Sequence, residues 1–253
     1  MREIKGMSVL VTGGGSGIGE GVARLFAARG ARVTISGRRK DKVDAVAASI
    51  GAACRAVVGD VTQQADRQAM LAAALAHGGK LDVLVNNAAN MYRQAVGAYT
   101  EAFLKEAFNT NVVSGMMLSS MAVPMLEATQ GAIIFLGSIH NRRAYPGASP
   151  YAATKAAVEG LTRVMAAELG PRQIRVACVL PGAVRTEINL RAGLFTAEQA
   201  DERYAAIAAD HALGRIGTVG DVAEAIEYLV RADWVTGVAL EVDGGLGLGV
   251  SKF

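Results

Sequence analysis

Short runs of aliphatic and β-branched residues alternate with longer, alanine-rich stretches along nearly the whole chain. The apolar runs lie at 8–11, 32–36, 56–59, 83–86, 132–137, 174–180 and 239–242. They are largely continuous rather than half-polar, the pattern of strands covered on both faces. Helical periodicity is expected between them at 17–29, 40–50, 64–76, 101–127 and 150–169. Short glycine-bearing connections link the two kinds of segment. This alternation predicts α/β architecture: a doubly wound parallel sheet of about seven strands with helices on both faces. No repeat or linker composition divides the chain, so residues 1–253 read as a single domain. The rhythm breaks at 186–216, a less regular helical insertion beyond the carboxyl end of the sixth strand. Ligands of open α/β sheets bind beyond those ends, so the insertion is either a substrate lid or a plain surface excursion.

Composition narrows the classes. Apolar residues make up 51% of the chain, enough for a sizeable core. The formal charge is +3, and the one basic cluster, Arg38-Arg39-Lys40, is short. Neither a nucleic-acid partner nor a membrane surface is expected. No uninterrupted apolar run reaches the ~20 residues of a membrane span, and the first residues lack a signal-peptide core. Cys54 and Cys178 have no metal or disulfide spacing and read as buried thiols in a reducing cytoplasm. Three histidines without paired spacing argue against a metal site.

The segment Thr12-Gly13-Gly14-Gly15-Ser16-Gly17-Ile18-Gly19 follows the first strand and opens the first helix. Glycine there permits a tight turn and lets backbone N–H groups approach a pyrophosphate at a helix N-terminus. A Rossmann-type dinucleotide site is expected. At the end of the second strand, Ser36-Gly37-Arg38-Arg39-Lys40 holds no carboxylate for ribose hydroxyls, and Arg38 could grip a 2′-phosphate. The expectation is therefore NADP(H) over NAD(H).

Tyr151 and Lys155 lie in Ser149-Pro150-Tyr151-Ala152-Ala153-Thr154-Lys155. Ser149 suits a helix N-cap and Pro150 the first helical position. Four residues apart, Tyr151 and Lys155 share a helix face, and a nearby ammonium stabilises phenolate. Such a tyrosine can exchange a proton with a carbonyl or alcohol oxygen. On its own, the pair reads better as a surface Tyr and Lys that share a helix by coincidence.

The pair belongs to a set: the glycine turn, Asn86-Asn87-Ala88-Ala89, Ser138, Tyr151–Lys155, Pro181-Gly182 and Val242-Asp243-Gly244-Gly245. In this order and spacing the chain closely resembles the short-chain dehydrogenase/reductase family over essentially its whole length. The branch of similar length includes 3-oxoacyl-carrier-protein reductases and many hydroxysteroid, sugar and carbonyl reductases. The resemblance implies Tyr151 as general acid/base, Lys155 on the nicotinamide ribose, and Ser138 on the substrate oxygen. It implies that Asn111, in Asn109-Thr110-Asn111-Val112, holds a water of a proton relay. Gly13, Gly15, Ser16, Gly17, Ile18 and Gly19 would cradle the phosphates, and Asp60 and Val61 would meet the adenine. Asn87 and Ala88 would line the path to the nicotinamide. Pro181, Gly182, Val184 and Thr186 would form the segment that fixes the carboxamide. The family's tetramers imply a homotetramer, built through the helices carrying Asn111 and Tyr151 and the C-terminal region. Small residues at 152–157 and the apolar, glycine-rich 244–250 suit that packing.

Two departures stand out. Ala89 replaces the family's usual glycine, and the loop after Ser138, Ile139-His140-Asn141-Arg142-Arg143-Ala144-Tyr145, is polar and cationic. His140 could touch substrate; Arg142 and Arg143 either meet an anion or point to solvent. Leu194, Phe195 and Tyr204 in the insertion favour an apolar substrate, the arginine pair an anionic one. The leading expectation is an NADP(H)-dependent reductase of ketones or dehydrogenase of secondary alcohols. An NAD-dependent catabolic alcohol dehydrogenase and a non-catalytic nucleotide sensor are the alternatives.

Overall fold

The computed structural model describes residues 1–249. Seven parallel strands form one sheet in the order β3-β2-β1-β4-β5-β6-β7. They are β1 (Ser8–Thr12), β2 (Arg32–Gly37), β3 (Cys54–Val58), β4 (Val83–Asn86), β5 (Ala132–Leu136), β6 (Arg175–Pro181) and β7 (Ala239–Val242). The third strand begins two residues earlier than the apolar run at 56–59, because Cys54 pairs with Val33 of β2. The order reverses between β1 and β4, which are paired through Val9–Val83 and Val11–Val85.

Strand alternation sorts the core into two layers. Val9, Val11, Val33, Ile35 and Ile134 face one way, against Val22 and Phe26 of α1 (Gly17–Ala28), Val43 of α2 (Lys40–Ile50) and Ile226 of α9 (Val219–Arg231). Leu10, Leu84, Ile133 and Phe135 face the other way. They meet Met70 of α3 (Gln64–Gly78), Leu118 of α5 (Ser114–Thr129) and Val158 of α6 (Ser149–Leu169). Both sheet faces are thus covered, which is why the central strands are largely apolar.

Three elements depart from the sequence pattern. The expected helix 101–127 is α4 (Glu101–Phe108) and α5 joined by a π-helical turn, Asn109–Val113. The whole rod, Glu101–Thr129, is long and apolar enough by length and composition to cross a bilayer, which a search for unbroken apolar runs misses. Its inner side is core: Leu118, Ala122 and Leu126 are fully buried. The amphipathic α9 lay outside the expected helices. It starts at a capping box in which Thr218 accepts from the Asp221 N–H, while the Asp221 side chain returns to the Thr218 N–H. Finally, Ser149 is not the N-cap of α6; Ala148 is, and Ser149 occupies the first helical position with its hydroxyl on that of Tyr99.

The insertion contains α7 (Ile188–Arg191) and α8 (Ala197–Ala208), the latter opened by a Thr196–Gln199 capping box. Of the C-terminal segment proposed for assembly, Val250 lies outside the described residues.

Arg175, buried in β6, closes the C-terminal end of α9. Its guanidinium donates to the Leu229 and Ala232 carbonyls at 2.6 and 3.0 Å and to Val230 at 2.7 Å. Burial, then the Arg2 charge, lowers its pKa to about 10, so it stays a cation at neutral pH. Arg175→Met should cost about 2–4 kcal/mol by leaving those carbonyls unpaired. Thermal unfolding should register this as a drop of roughly 5–15 °C in Tm. A change below about 1 °C would show that α9 does not depend on this cap.

Candidate active site

The carboxyl ends of β1 and β4 are stapled together. The Thr12 hydroxyl accepts from the N–H groups of Asn87 and Ala88 at 3.1 and 3.0 Å. The Asn87 amide returns to the Thr12 and Gly13 carbonyls at 2.8 and 3.2 Å. This closeness explains Gly13: its φ is +68°, and a Cβ there would lie 2.9 Å from the Asn87 side chain. Gly19 plays a similar part, since a Cβ on it would lie 2.4 Å from the Gly13 carbonyl oxygen. Gly19 is not among the residues lining the groove over the turn; it lets α1 begin tightly beneath it.

A groove runs over this turn, at the N-terminus of α1. Gly13, Gly15, Ser16, Gly17 and Ile18 form its floor. Asp60 and Val61 line one end, and Asn87, Ala88 and Thr186 the other. The Ser36 hydroxyl, at the end of β2, also borders the groove and is buried without a hydrogen-bond partner. A glycine floor, a helix N-terminus and an orphaned hydroxyl fit the backbone, phosphates and ribose of a dinucleotide.

The basic cluster divides its labour. Arg39 donates to the Ser16 hydroxyl at 3.0 Å and pairs with Glu187 at 2.9 Å. Arg38 is 71% exposed and lies only within 3.7 Å of Asp60. Asp60 itself accepts from the N–H and hydroxyl of Thr62 at 2.9 and 2.8 Å. The groove is covered in part by α7, whose Arg191 donates to the Ala89 carbonyl at 3.3 Å.

A second cavity adjoins the groove, sharing Ile18, Asn87, Ala89 and Thr186 with it. Ser138, His140, Tyr151 and Lys155 line it, as do Pro181, Gly182 and Val184. Ser138, separated from the end of β5 by Gly137, caps a short 3-10 turn, Ile139–Asn141. Its Oγ lies 3.1 Å from His140 Nδ1 and accepts from the His140 N–H at 3.3 Å. The His140 ring meets the Tyr151 ring edge-on, with centroids 5.1 Å apart. One helical turn beyond Tyr151, Lys155 donates from Nζ to the Leu136 carbonyl at 2.7 Å.

Burial governs the protonation of all three. It pushes the Tyr151 phenol up to about 12, with the neighbouring Ser138 hydroxyl pulling the other way. It brings the Lys155 ammonium down to about 8. The lowered phenol expected from a nearby ammonium is not found. Desolvation outweighs attraction here, with Nζ 5.6 Å from the ring centroid and bound to a carbonyl. His140 falls to about 4, first through burial and then through the charges of Arg93, Arg203 and Lys155. It is a neutral imidazole facing the serine.

Asn111 sits in the π-helical turn, a geometry that recurs at functional sites. Its amide donates to the Asn90 carbonyl at 3.0 Å and the Thr154 hydroxyl at 3.1 Å, and its Oδ1 accepts from the Asn90 N–H at 2.9 Å. The side chain is thus occupied in tying the β4 loop to α6. Asn111 and Lys155 nevertheless border one small internal cavity.

A family profile described as enoyl-(acyl carrier protein) reductase, of the short-chain dehydrogenase type, matches residues 13–247. The chain belongs to the short-chain dehydrogenase/reductase family. It is 34% identical to an uncharacterized oxidoreductase of Methylorubrum extorquens, over 97% of this chain and 100% of the relative. It is 32% identical to the 3-oxoacyl-[acyl-carrier-protein] reductase of Chlamydia muridarum, over 94% of this chain and 96% of that one. Among solved structures, 3-ketoacyl-(acyl-carrier-protein) reductase from Brucella melitensis, complexed with NADH, superposes with a TM-score of 0.87. That pair shares 32% identity over 96% of this chain and 99% of the other. The protein is an NAD(P)-dependent oxidoreductase of this family, built on its Rossmann fold.

In this short-chain dehydrogenase/reductase, the arginines of the cationic loop after Ser138 are spoken for. Arg142 pairs with Glu159 at 2.6 Å and Glu241 at 2.9 Å, and Arg143 with Asp210 at 3.0 Å. Neither lines the substrate-side cavity. The insertion contributes Tyr204, whose hydroxyl accepts from the Thr186 N–H at 3.3 Å and donates to the Val184 carbonyl at 3.3 Å. Leu194 and Phe195 do not line the cavity, whereas Arg93 and Arg203 do. Sequence reasoning missed both arginines, as well as Thr12 and Thr154. Only the i,i+3 spacing of Thr154 from Tyr151 offered a signal.

The His140 shift has a stability signature. Between about 4 and its ordinary 6.5, the unfolded chain holds the proton and the folded one does not. Stability from this group is full above pH 6.5 and declines as pH falls toward 4. The imidazole resonances should titrate near pH 4 by NMR, and His140→Asn should flatten the acid limb of the stability curve. A midpoint at the ordinary value would contradict the burial described here.

Proposed function

We propose that the protein transfers a hydride between NADP(H) and a ketone or secondary alcohol, with Tyr151 as the general acid/base. The carrying observation is the convergence of Ser138 and Tyr151, from different elements, in the cavity that adjoins the glycine groove. The nicotinamide supplies the hydride when bound. Gly13, Gly15, Ser16, Gly17 and Ile18 hold its phosphates, and Asp60 and Val61 border the adenine. Asn87, Ala88 and Thr186 line the way toward Pro181, Gly182 and Val184. Lys155 binds the ribose hydroxyls.

Ser138 holds and polarises the substrate oxygen, oriented by the neutral His140 beside it. Tyr151 gives its phenolic proton to that oxygen in reduction or takes one from the alcohol in oxidation. With the phenol raised to about 12 by burial, Tyr151 carries its proton at neutral pH. Lys155 and the cavity it shares with Asn111 offer a route for replacing the proton.

NADP(H) is favoured by Arg38, whose exposed guanidinium borders the groove, whereas Arg39 is engaged with Ser16 and Glu187. The second reading, an NAD(H)-dependent dehydrogenase, draws on the NADH in the Brucella melitensis structure and on Asp60 beside Arg38. We also propose a homotetramer. Phe108, Val113, Met116 and Met117 on the α4–α5 rod and Val164 on α6 are exposed apolar side chains that a partner subunit would cover. Free Cys54 and Cys178 are consistent with a cytoplasmic setting.

Tyr151→Phe should lower kcat by about 100-fold or more while leaving nucleotide affinity nearly unchanged. Retained turnover would remove Tyr151 from the acid/base role. Arg38→Ala should weaken NADPH by about tenfold or more and leave NADH nearly unaffected. Equal losses for the two nucleotides would favour the NAD(H) reading.

A further inference from the structure

Two arginines border the substrate-side cavity with no carboxylate to meet them. Arg93, on the loop after β4, is half-buried and donates from Nη2 to the Pro146 carbonyl at 2.6 Å. Arg203, on α8, stacks over the Phe195 ring at 5.1 Å from its centroid. Both line the cavity that holds Ser138 and Tyr151, and no Asp or Glu lines it. Among the described residues, neither forms an ion pair. Arg142 and Arg143, by contrast, are each neutralised.

The two guanidiniums share one space. After burial, the charge of Arg203 is what most disfavours the charge on Arg93. Both charges act on His140, whose Nδ1 lies 3.1 Å from the Ser138 hydroxyl in the same cavity. Like charges facing one cavity are relieved by an anion placed between them. Planar guanidinium groups suit the paired oxygens of a carboxylate, phosphate or sulfonate. The rest of the wall is largely apolar, with Met91, Ile139, Ile207 and Leu246 beside Tyr145 and Tyr204.

We propose that the substrate is a ketone, or the matching secondary alcohol, carrying an acidic group on an apolar body, with Arg93 and Arg203 binding the acid. This rests on the reading that places the reacting oxygen at Ser138 and Tyr151. Arg203 belongs to the insertion and Arg93 to the body of the domain, so the bound acid joins the two. Tyr204, next to Arg203, holds Val184 and Thr186, so the same contact steadies the segment bordering the nucleotide groove.

The test uses 3-benzoylpropionate and its methyl ester, titrated calorimetrically onto protein saturated with oxidised nucleotide, which prevents turnover of a ketone. The acid should bind about tenfold or more tightly than the ester. In Arg93→Gln/Arg203→Gln the gap should close to within about threefold, with ester affinity unchanged. Arg203→Gln alone, at an exposed position, should already shrink the preference, which keeps the test open if the double variant fails to fold. Equal affinity of acid and ester, a preference that survives both substitutions, or no binding of either at millimolar concentration would overturn the proposal. Failure to oxidise NADPH with any ketone would count against hydride transfer, but would leave this binding ratio readable.

Discussion

Four hydrogen bonds between the ends of β1 and β4 set the geometry on which the rest of the site depends. The strand order reverses between these two neighbours, so their outgoing chains diverge and leave a crevice. Thr12 and Asn87 fix how wide that crevice can open. They hold the glycine turn against the β4 loop, so α1 presents its N-terminus to the groove. The same loop continues through Asn90, which Asn111 clamps to α6 by way of Thr154. The nucleotide groove and the helix carrying Tyr151 are therefore parts of one hydrogen-bonded frame.

Within that frame, desolvation outweighs Coulomb attraction. The phenol of Tyr151 is raised, the ammonium of Lys155 is lowered and the imidazole of His140 is neutral, each chiefly because burial disfavours charge. A serine flanked by a neutral imidazole and a protonated phenol gives this cavity hydrogen-bonding groups without a fixed anion in its lining. The cationic side of the same cavity is supplied by Arg93 and Arg203, from segments far apart in the chain.

Much of this was legible in the residue order. Largely apolar runs marked the strands, most clearly the central ones that helices cover on both faces. The glycine turn and the four-residue spacing of Tyr151 and Lys155 are local patterns with local consequences. What escaped was non-local or geometrically silent. A π-helical turn at Asn109–Val113 leaves the apolar periodicity of a long helix nearly intact. Arg142 looked available until Glu159 and Glu241 were brought to it by α6 and β7. Arg93 and Arg203 carried no sequence signal, because their shared cavity exists only once α8 folds back over the β4 loop. The start of α9 was signalled by Thr218 and Asp221, but a two-residue capping box is easily lost between an irregular insertion and a terminal strand.

The central claim is direct hydride transfer onto a carbonyl carbon held at Ser138 and Tyr151. Its most direct test is incubation with NADPH doubly deuterated at C4 of the nicotinamide and 3-benzoylpropionate, followed by mass spectrometry and NMR of the alcohol. One deuterium on the carbinol carbon and none elsewhere is the predicted result. Alcohol without that deuterium, or no alcohol at any nucleotide and substrate concentration tried, would contradict it.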